Sequence, residues 1–257
     1  MFNFDFYNPT HIVFGKDRLG ELDTLVPKDA KVLITYGGGS AVRSGLIDRI
    51  VKALGNRKVE QFGGIEPNPS LETCERAVAF IKEHGVDFVL AVGGGSVVDA
   101  TKLIVMGATY DGPVIEVMKA GVPEVPVDMV PNPLPFGTVM TLPATGSEMN
   151  NGAVITYGDG KYPVFSSLVF PKFSMLDPTL TFTLPEKQVK NGVIDTFVHT
   201  TEQYLTYPVE GRIQDRFSEG ILKTMIEIGK ETVENPENYD IRANHVWAST
   251  LALKQWI

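Results

Sequence analysis

The sequence predicts an α/β fold: a parallel-sheet domain over residues 1–183, followed by an all-helical domain over residues 184–257. Three observations predict it. Continuous apolar runs, Lys31 to Tyr36 and Val86 to Val92, have the character of strands covered on both faces of a parallel sheet. Each run enters a Gly-Gly-Gly-Ser turn and then a helical pattern, and the second unit repeats the first about 56 positions later. From Pro185 onward the pattern is helical throughout.

Taken in order, Phe2, Phe4 and Phe6 alternate with Asn3, Asp5 and Tyr7. This period of two predicts a strand with one apolar face, and an unpaired edge of that kind is a candidate contact between subunits. Pro9 interrupts it, His11 to Phe14 reads as a second short strand ending at Gly15, and Leu19 to Leu25 as a short helix. His11 reads as structural. Lys31 to Tyr36 is the first buried strand, Gly37-Gly38-Gly39-Ser40 its turn and Gly45 to Leu54 its helix. Val59 to Phe62 begins another strand, and Gly63 to Pro69 is a loop stiffened by Pro67 and Pro69. Ser70 then caps a helix over Leu71 to His84 by accepting from an N–H of the first turn.

Val86 to Val92 turns at Gly93-Gly94-Gly95-Ser96 into a helix that reaches about Ala108 and carries Asp99 and Lys102. Tyr110 to Leu134 reads as a connection broken by Pro113, Pro123, Pro126, Pro131 and Pro133. Phe136 to Pro143 is a strand leading to Ala144-Thr145-Gly146-Ser147-Glu148. A hairpin pairs Ala153 to Tyr157 with Tyr162 to Phe165 around Gly158-Asp159-Gly160-Lys161. Phe173 to Leu176 is the last strand, and Thr183-Leu184-Pro185 marks the domain boundary. Helices are expected over Glu186 to Tyr204, Val209 to Ile228 and Tyr239 to the end, the last holding Trp247, Leu251, Leu253 and Trp256.

Composition narrows the function. A chain of 257 residues with 43% hydrophobic content can bury a sizeable core. Its net charge of -8 argues against general affinity for nucleic acid or anionic membranes. The single cysteine, Cys74, excludes an internal disulfide framework and a multi-cysteine zinc site, so a cytoplasmic location is expected. The start has neither a basic nor an apolar signal segment, and no apolar run is long enough to span a membrane.

Two kinds of residue carry chemistry. A strand, glycine turn and helix let backbone N–H groups and a helix N-terminus approach phosphate. One such turn is weak evidence, but Gly37 to Ser40 and Gly93 to Ser96 together predict a phosphate-bearing ligand. Thr138, Thr141, Thr145 and Ser147 add hydroxyls able to hold phosphate or ribose oxygens, although β-propensity and turn chemistry explain the same residue types. Lys161 at the hairpin is equally compatible with a solvated charge. Asp195 and His199 lie four residues apart in a predicted helix and so share a face. They read either as a solvated ion pair or as oxygen and nitrogen ligands converging on one divalent ion. Val193, Ile194, Phe197 and Val198 around them point to a buried face, where a carboxylate needs a compensating charge.

These residues carry a resemblance. Gly63-Gly-Ile-Glu-Pro-Asn-Pro69, Ala91-Val-Gly-Gly-Gly-Ser96 with Asp99 and Lys102, Thr141-Leu-Pro-Ala-Thr-Gly-Ser-Glu148 and Asn191 to His199 together resemble the iron-containing, group III alcohol dehydrogenases. The match is closest to the NADPH-dependent butanol dehydrogenases and broad-specificity aldehyde reductases. The resemblance implies a Rossmann-like nucleotide domain, an all-helical, dehydroquinate synthase-like second domain, and cofactor and metal between them. It implies NADP(H) contacts at Gly94, Gly95, Ser96, Thr138, Thr141, Asn68 and Lys161, with Gly37, Gly38, Gly39, Ser40, Asp99 and Ser147 as further cofactor-binding candidates. It also implies Fe2+ or Zn2+ on Asp195 and His199, the catalytic pair. The turn Gly37 to Ser40 lacks the Asp that NAD-using members place there for the ribose 2′-OH, so NADP is favoured over NAD, with Ser40 and Arg43 near its 2′-phosphate.

The implied activity is hydride transfer between nicotinamide C4 and a metal-coordinated alcohol or aldehyde, in a homodimer. Two further histidine ligands in the family come from beyond residue 257. His245 matches neither and reads as structural, so the metal site is expected to be half present. A catalytically silent nucleotide-binding subunit is therefore an alternative. A lyase of the dehydroquinate synthase type is a third, weakened by the Thr141 to Glu148 and Asn191 to His199 motifs.

Overall fold

The computed structural model describes residues 3–120, 130–207 and 209–253. In chain order the elements begin with β1 (His11–Phe14), a 3-10 turn (Leu19–Glu21), α1 (Leu22–Leu25), β2 (Lys31–Tyr36), α2 (Ser40–Arg43), α3 (Leu46–Leu54) and β3 (Lys58–Phe62). There follow α4 (Leu71–His84), β4 (Phe88–Gly93), α5 (Gly95–Thr109), α6 (Val114–Ala120) and β5 (Phe136–Met140). A 3-10 turn (Ser147–Met149) leads to β6 (Gly152–Tyr157), β7 (Gly160–Phe165) and β8 (Phe173–Leu176). A last 3-10 turn (Pro178–Thr181) precedes α7 (Glu186–Tyr204), α8 (Arg212–Glu234) and α9 (Tyr239–Leu251).

The fold is α/β, with six parallel strands in the order β1-β8-β5-β4-β2-β3 and a separate antiparallel hairpin of β6 and β7. Strand alternation divides the core between the two faces. Val32, Ile34, Phe88, Leu90 and Val92 pack with Leu46, Ile47, Ile50 and Leu54 of α3. Leu33, Val89 and Ala91 turn the other way, onto Cys74, Ala77, Val78 and Ile81 of α4 and Leu103 and Ile104 of α5. The buried run that marked these strands in the sequence is thus two interleaved faces, each covered by helices.

The strand order creates the site. From β2 the chain steps outward to β3, then crosses back to β4 on the opposite side of β2 and continues through β5 to β8. The connections leave β2 and β4 in opposite directions, which opens a crevice at their carboxyl ends, the usual ligand position in open α/β sheets. Both glycine turns lie there, because Tyr36 and Val92 are register partners. On the far side of the sheet's carboxyl edge, Met140, Leu176 and Val246 pack with Ile12 and Phe14 and join α9 to the strands. The helical part has its own small core of Met225, Ile228 and Ala248 with Val193, Ile221 and Ile241.

Several expectations are corrected. Residues 3–10 form no strand, and Phe4, Phe6 and Tyr7 are exposed. Among the described residues that segment has no neighbouring strand, so its alternation has no sheet face to bury; Phe2 lies outside the described residues. The proline-rich connection contains α6, whose Val114, Val117 and Met118 are buried at helical spacing. Pro113 stands just before its first residue, where the missing N–H costs nothing. Pro123 and Pro126 fall outside the described residues, as does Trp256. Helix α2 follows the first glycine turn directly, and α8 extends to Glu234. Lys161 is not a loop residue: it sits in β7, paired with Thr156.

Candidate functional site

The first turn is joined to the loop beyond β3. Gly64 N–H donates to Gly37 O at 3.1 Å and Ile65 N–H to Tyr36 O at 3.2 Å. Gly37 is a glycine partly for that reason, since a Cβ there would stand 3.2 Å from Ile65 O. Gly39 has φ +88, a left-handed conformation natural to glycine. Gly38 faces open space, leaving room for a ligand at the backbone. Ser40 opens α2, and Arg43 donates from Nη1 to Gly38 O at 3.3 Å.

The second turn is walled by the segment after β5. A Cβ on Gly94 would come within 3.1 Å of Leu142 Cβ, and one on Gly95 would overlap Thr145. Thr141 N–H donates to Gly93 O at 2.9 Å. These glycines are therefore required by protein packing as well as by any approach of phosphate.

Three residues of the expected cofactor set meet. Asn68, held at φ +55, receives Lys161 Nζ on its Oδ1 at 2.8 Å, and its N–H donates to Ser96 Oγ at 3.2 Å. Thr156 Oγ1 donates to Asn68 O at 3.1 Å, fixing the loop from the hairpin side. Thr138 is elsewhere: it is fully buried in β5 and donates to Ser174 Oγ at 2.8 Å. Thr141, at the end of that strand, is half-buried.

Asp99 and Ser147 belong to an interior cluster centred on Lys102. Ser147 Oγ donates to Asp99 Oδ1 at 2.5 Å, and Val154 N–H donates to Asp99 Oδ2 at 2.9 Å. Lys102, fully buried, donates to Ser147 O, Ser147 Oγ, Asn150 Oδ1 and Gly152 O at 2.6–2.9 Å. Burial lowers the Lys102 ammonium to about 8, against the opposing pull of Asp99 and Glu148. Burial likewise raises the Asp99 carboxyl, with Lys102 and the Ser147 hydroxyl acting the other way. Sequence reasoning assigned Lys102 no chemistry of its own. The signal was available: Asp99 and Lys102, three residues apart, are the two charges inside a largely apolar helical run from Val97 to Met106.

Asp195 and His199 share a face of α7, with His199 Nδ1 3.8 Å from Asp195 Oδ2. The expected burial of that face is corrected. Asp195 is 40% exposed at its side chain, and Ile194, Phe197 and Val198 are exposed. The buried stripe of α7 is instead Val189, Gly192, Thr196 and Thr200, because the small Gly192 lets the helix press on Pro143 O where a Cβ would collide. His199 Nδ1 is buried without a hydrogen-bond partner. An imidazole nitrogen so placed beside a carboxylate fits two positions around a divalent ion. Among the described residues no group of three or more His, Cys, Asp or Glu is arranged to hold a metal.

His245 is fully buried on α9, its ring 3.4–3.5 Å from where a Gly192 Cβ would be. Among the described residues it belongs to no group of three or more His, Cys, Asp or Glu arranged to hold a metal.

A sequence profile of the iron-containing alcohol dehydrogenases matches residues 9–178. The chain belongs to that family. It is 51% identical to the NADPH-dependent aldehyde reductase YqhD of Escherichia coli (strain K12), over 98% of this chain and 65% of the relative. It is 44% identical to the probable NADH-dependent butanol dehydrogenase 1 of Bacillus subtilis (strain 168), with the same coverage. Among solved structures, it superposes on E. coli K-12 YqhD with a TM-score of 0.93 at 49% identity, covering 98% of this chain and 64% of that one. NADH-dependent butanol dehydrogenase A from Thermotoga maritima gives 0.89 at 35% identity, covering 99% and 64%. The chain thus spans just under two thirds of the length of these iron-containing alcohol dehydrogenases and shares their fold over that span.

Proposed function

We propose that this chain acts as a metal-dependent, NADP(H)-linked alcohol dehydrogenase or aldehyde reductase on small alcohols and aldehydes. The observation that carries the reading is the crevice between β2 and β4, at which the turn is open at Gly38 and Asn68 is linked to Ser96 of the second turn and to Lys161. Lys161 brings positive charge to a phosphate, and Asn68 is pre-set by its bonds to Lys161, Ser96 and Thr156. Leu142 and Thr145, seated on Gly94 and Gly95, give the second glycine turn a fixed wall. Asp195 and His199 would hold Fe2+ or Zn2+. When bound, the nicotinamide supplies the hydride and the metal polarises the substrate oxygen. The role of the chain's own residues is to hold both groups in register.

NADP is preferred over NAD because no carboxylate stands at Gly37 to Ser40 to repel a 2′-phosphate, and Arg43 lies beside Gly38. YqhD, described as NADPH-dependent, supports this choice, while the butanol dehydrogenase relatives are described as NADH-dependent. A second reading, a nucleotide-binding subunit without turnover, is favoured by the two-donor metal site. The family match supports an oxidoreductase over a lyase. The proposal includes a cytoplasmic location; in the described residues no helix is long and apolar enough to cross a membrane.

Fluorescence titration with NADPH and NADH, joined to elemental analysis and NADPH oxidation with butanal, tests the proposal. NADPH should bind at least about tenfold more tightly, a difference of about 1.4 kcal/mol, and Arg43→Ala should remove most of that preference. Equal affinities would sink the choice of NADP. NADPH binding without metal or turnover would favour the second reading, and no binding of either dinucleotide would end both.

A further inference from the structure

The Asp99, Lys102 and Ser147 cluster is poorly suited to touching a cofactor. Both Asp99 carboxylate oxygens are taken, one by the Ser147 hydroxyl and one by Val154 N–H. A carboxylate beside a pyrophosphate would also repel it. Lys102 has no exposed surface, and its protons go to four protein acceptors on residues 147–152. The cluster instead fastens one chain segment to the inner turns of α5. Ser147 Oγ lies between the two charges, accepting from Lys102 and donating to Asp99.

That segment has a second attachment, on the helical part. Glu148, buried beside Ser147, accepts from Thr250 Oγ1 of α9 at 2.5 Å. Gly146, at φ +64, packs where a Cβ would stand 3.2 Å from Ser249 O and 3.3 Å from Thr250 O. The segment's near end is Leu142 and Thr145, the wall of the second glycine turn. One stretch of about ten residues therefore touches the phosphate turn, the buried ion cluster and α9.

We infer that Lys102, Asp99 and Ser147 are positioning residues: they lock residues 144–154 against α5, and the Thr250 to Glu148 bond ties that lock to α9, so that cofactor affinity is set partly from the helical side. The inference rests on the reading of the crevice as a dinucleotide site. Its physical basis is that a buried, fully bonded polar cluster has one arrangement, so a shift imposed on Glu148 reaches Thr145 and the turn instead of being absorbed locally.

Thr250→Val tests it, because the change keeps the side chain's shape, lies on α9 and removes only the hydroxyl. The full chain carrying Thr250→Val should bind NADPH about fivefold more weakly or worse, with faster amide hydrogen exchange over residues 144–152, and Thr250→Ser should restore both. Ser147→Ala should weaken binding in the same direction. The double variant Ser147→Ala with Thr250→Val should lose less than the product of the two single losses, since both act through one segment. NADPH affinity within twofold of the unaltered chain in Thr250→Val, whether or not exchange quickens, overturns the inference and leaves the cofactor reading standing. No NADPH binding by the unaltered chain overturns the cofactor reading and this inference with it.

Discussion

His245 shows how one buried side chain adds a pH dependence that no motif announces. Its ring is enclosed between α9 and Gly192 of α7, and burial, reinforced by Arg242, lowers its pKa from 6.5 to about 4. Between those values the unfolded chain takes up a proton that the folded chain refuses. Stability is therefore full above about pH 6.5 and falls as the pH drops toward 4, by roughly 3 kcal/mol for this group. Urea unfolding at pH 7 and pH 4.5 should show that loss in the unaltered chain and a clearly smaller one in His245→Leu. An equal loss in both would assign the acid sensitivity to other groups. Lys102 teaches the related lesson that a lone lysine in an apolar helix is an interior cation with several acceptors.

At the scale of elements, the features that were legible are those decided within a few residues. Ser70 accepts from Thr73 N–H at 3.2 Å, and Gly85 closes the same helix at φ +62, so α4 was bounded by its own caps. The helices α7 and α4 and strands β1, β2 and β8 run over the expected residues. The first miss has a non-local cause, since the segment around Phe4 and Phe6 lacks a partner strand; the second is local, because the seven-residue α6 follows Pro113 in a proline-rich stretch. Gly137 in β5 illustrates a demand made by a neighbouring strand. A Cβ there would overlap the Phe173 ring of β8, which stacks on Phe88 with centroids 6.3 Å apart. Gly137→Ala should lower stability by about 1–3 kcal/mol, read as an earlier midpoint in urea. An unchanged midpoint would mean that Phe173 has another rotamer available at little cost.

At the scale of the molecule, the sheet has an edge at β1, and Phe4, Phe6 and Tyr7, a few residues before it in the chain, are exposed. An open edge strand offers pairing to a second chain and exposed apolar side chains offer it a surface, and the proposed homodimer places its contact at this N-terminal part of the chain. Light scattering at micromolar protein should give twice the 28.1 kDa chain mass, and Phe4→Ser with Phe6→Ser should return it to one chain. A dimer that survives both changes would move the contact elsewhere, with the exposed Ile194, Phe197 and Ile213 of α7 and α8 as the next surface to alter.

By itself the sequence determined the class of fold, the two glycine turns at a sheet edge, the pairing of Asp195 with His199 on one helix face, and the family. The first three rest on periodicity, turn chemistry or spacing within a short window, where backbone sterics and the burial pattern act locally; the family rests on the resemblance carried by four motifs between Gly63 and His199. Tertiary structure decided what those residues face. Gly95 is small because Thr145 lies on it, Thr138 is buried against Ser174, and the apolar neighbours of Asp195 are exposed because Gly192 turns the other side of α7 inward. It also gathered Asp99 and Lys102 with Ser147, more than 40 positions away. Such contacts join residues far apart in the chain, and a side chain's role is settled by the partner that reaches it, which no local pattern encodes.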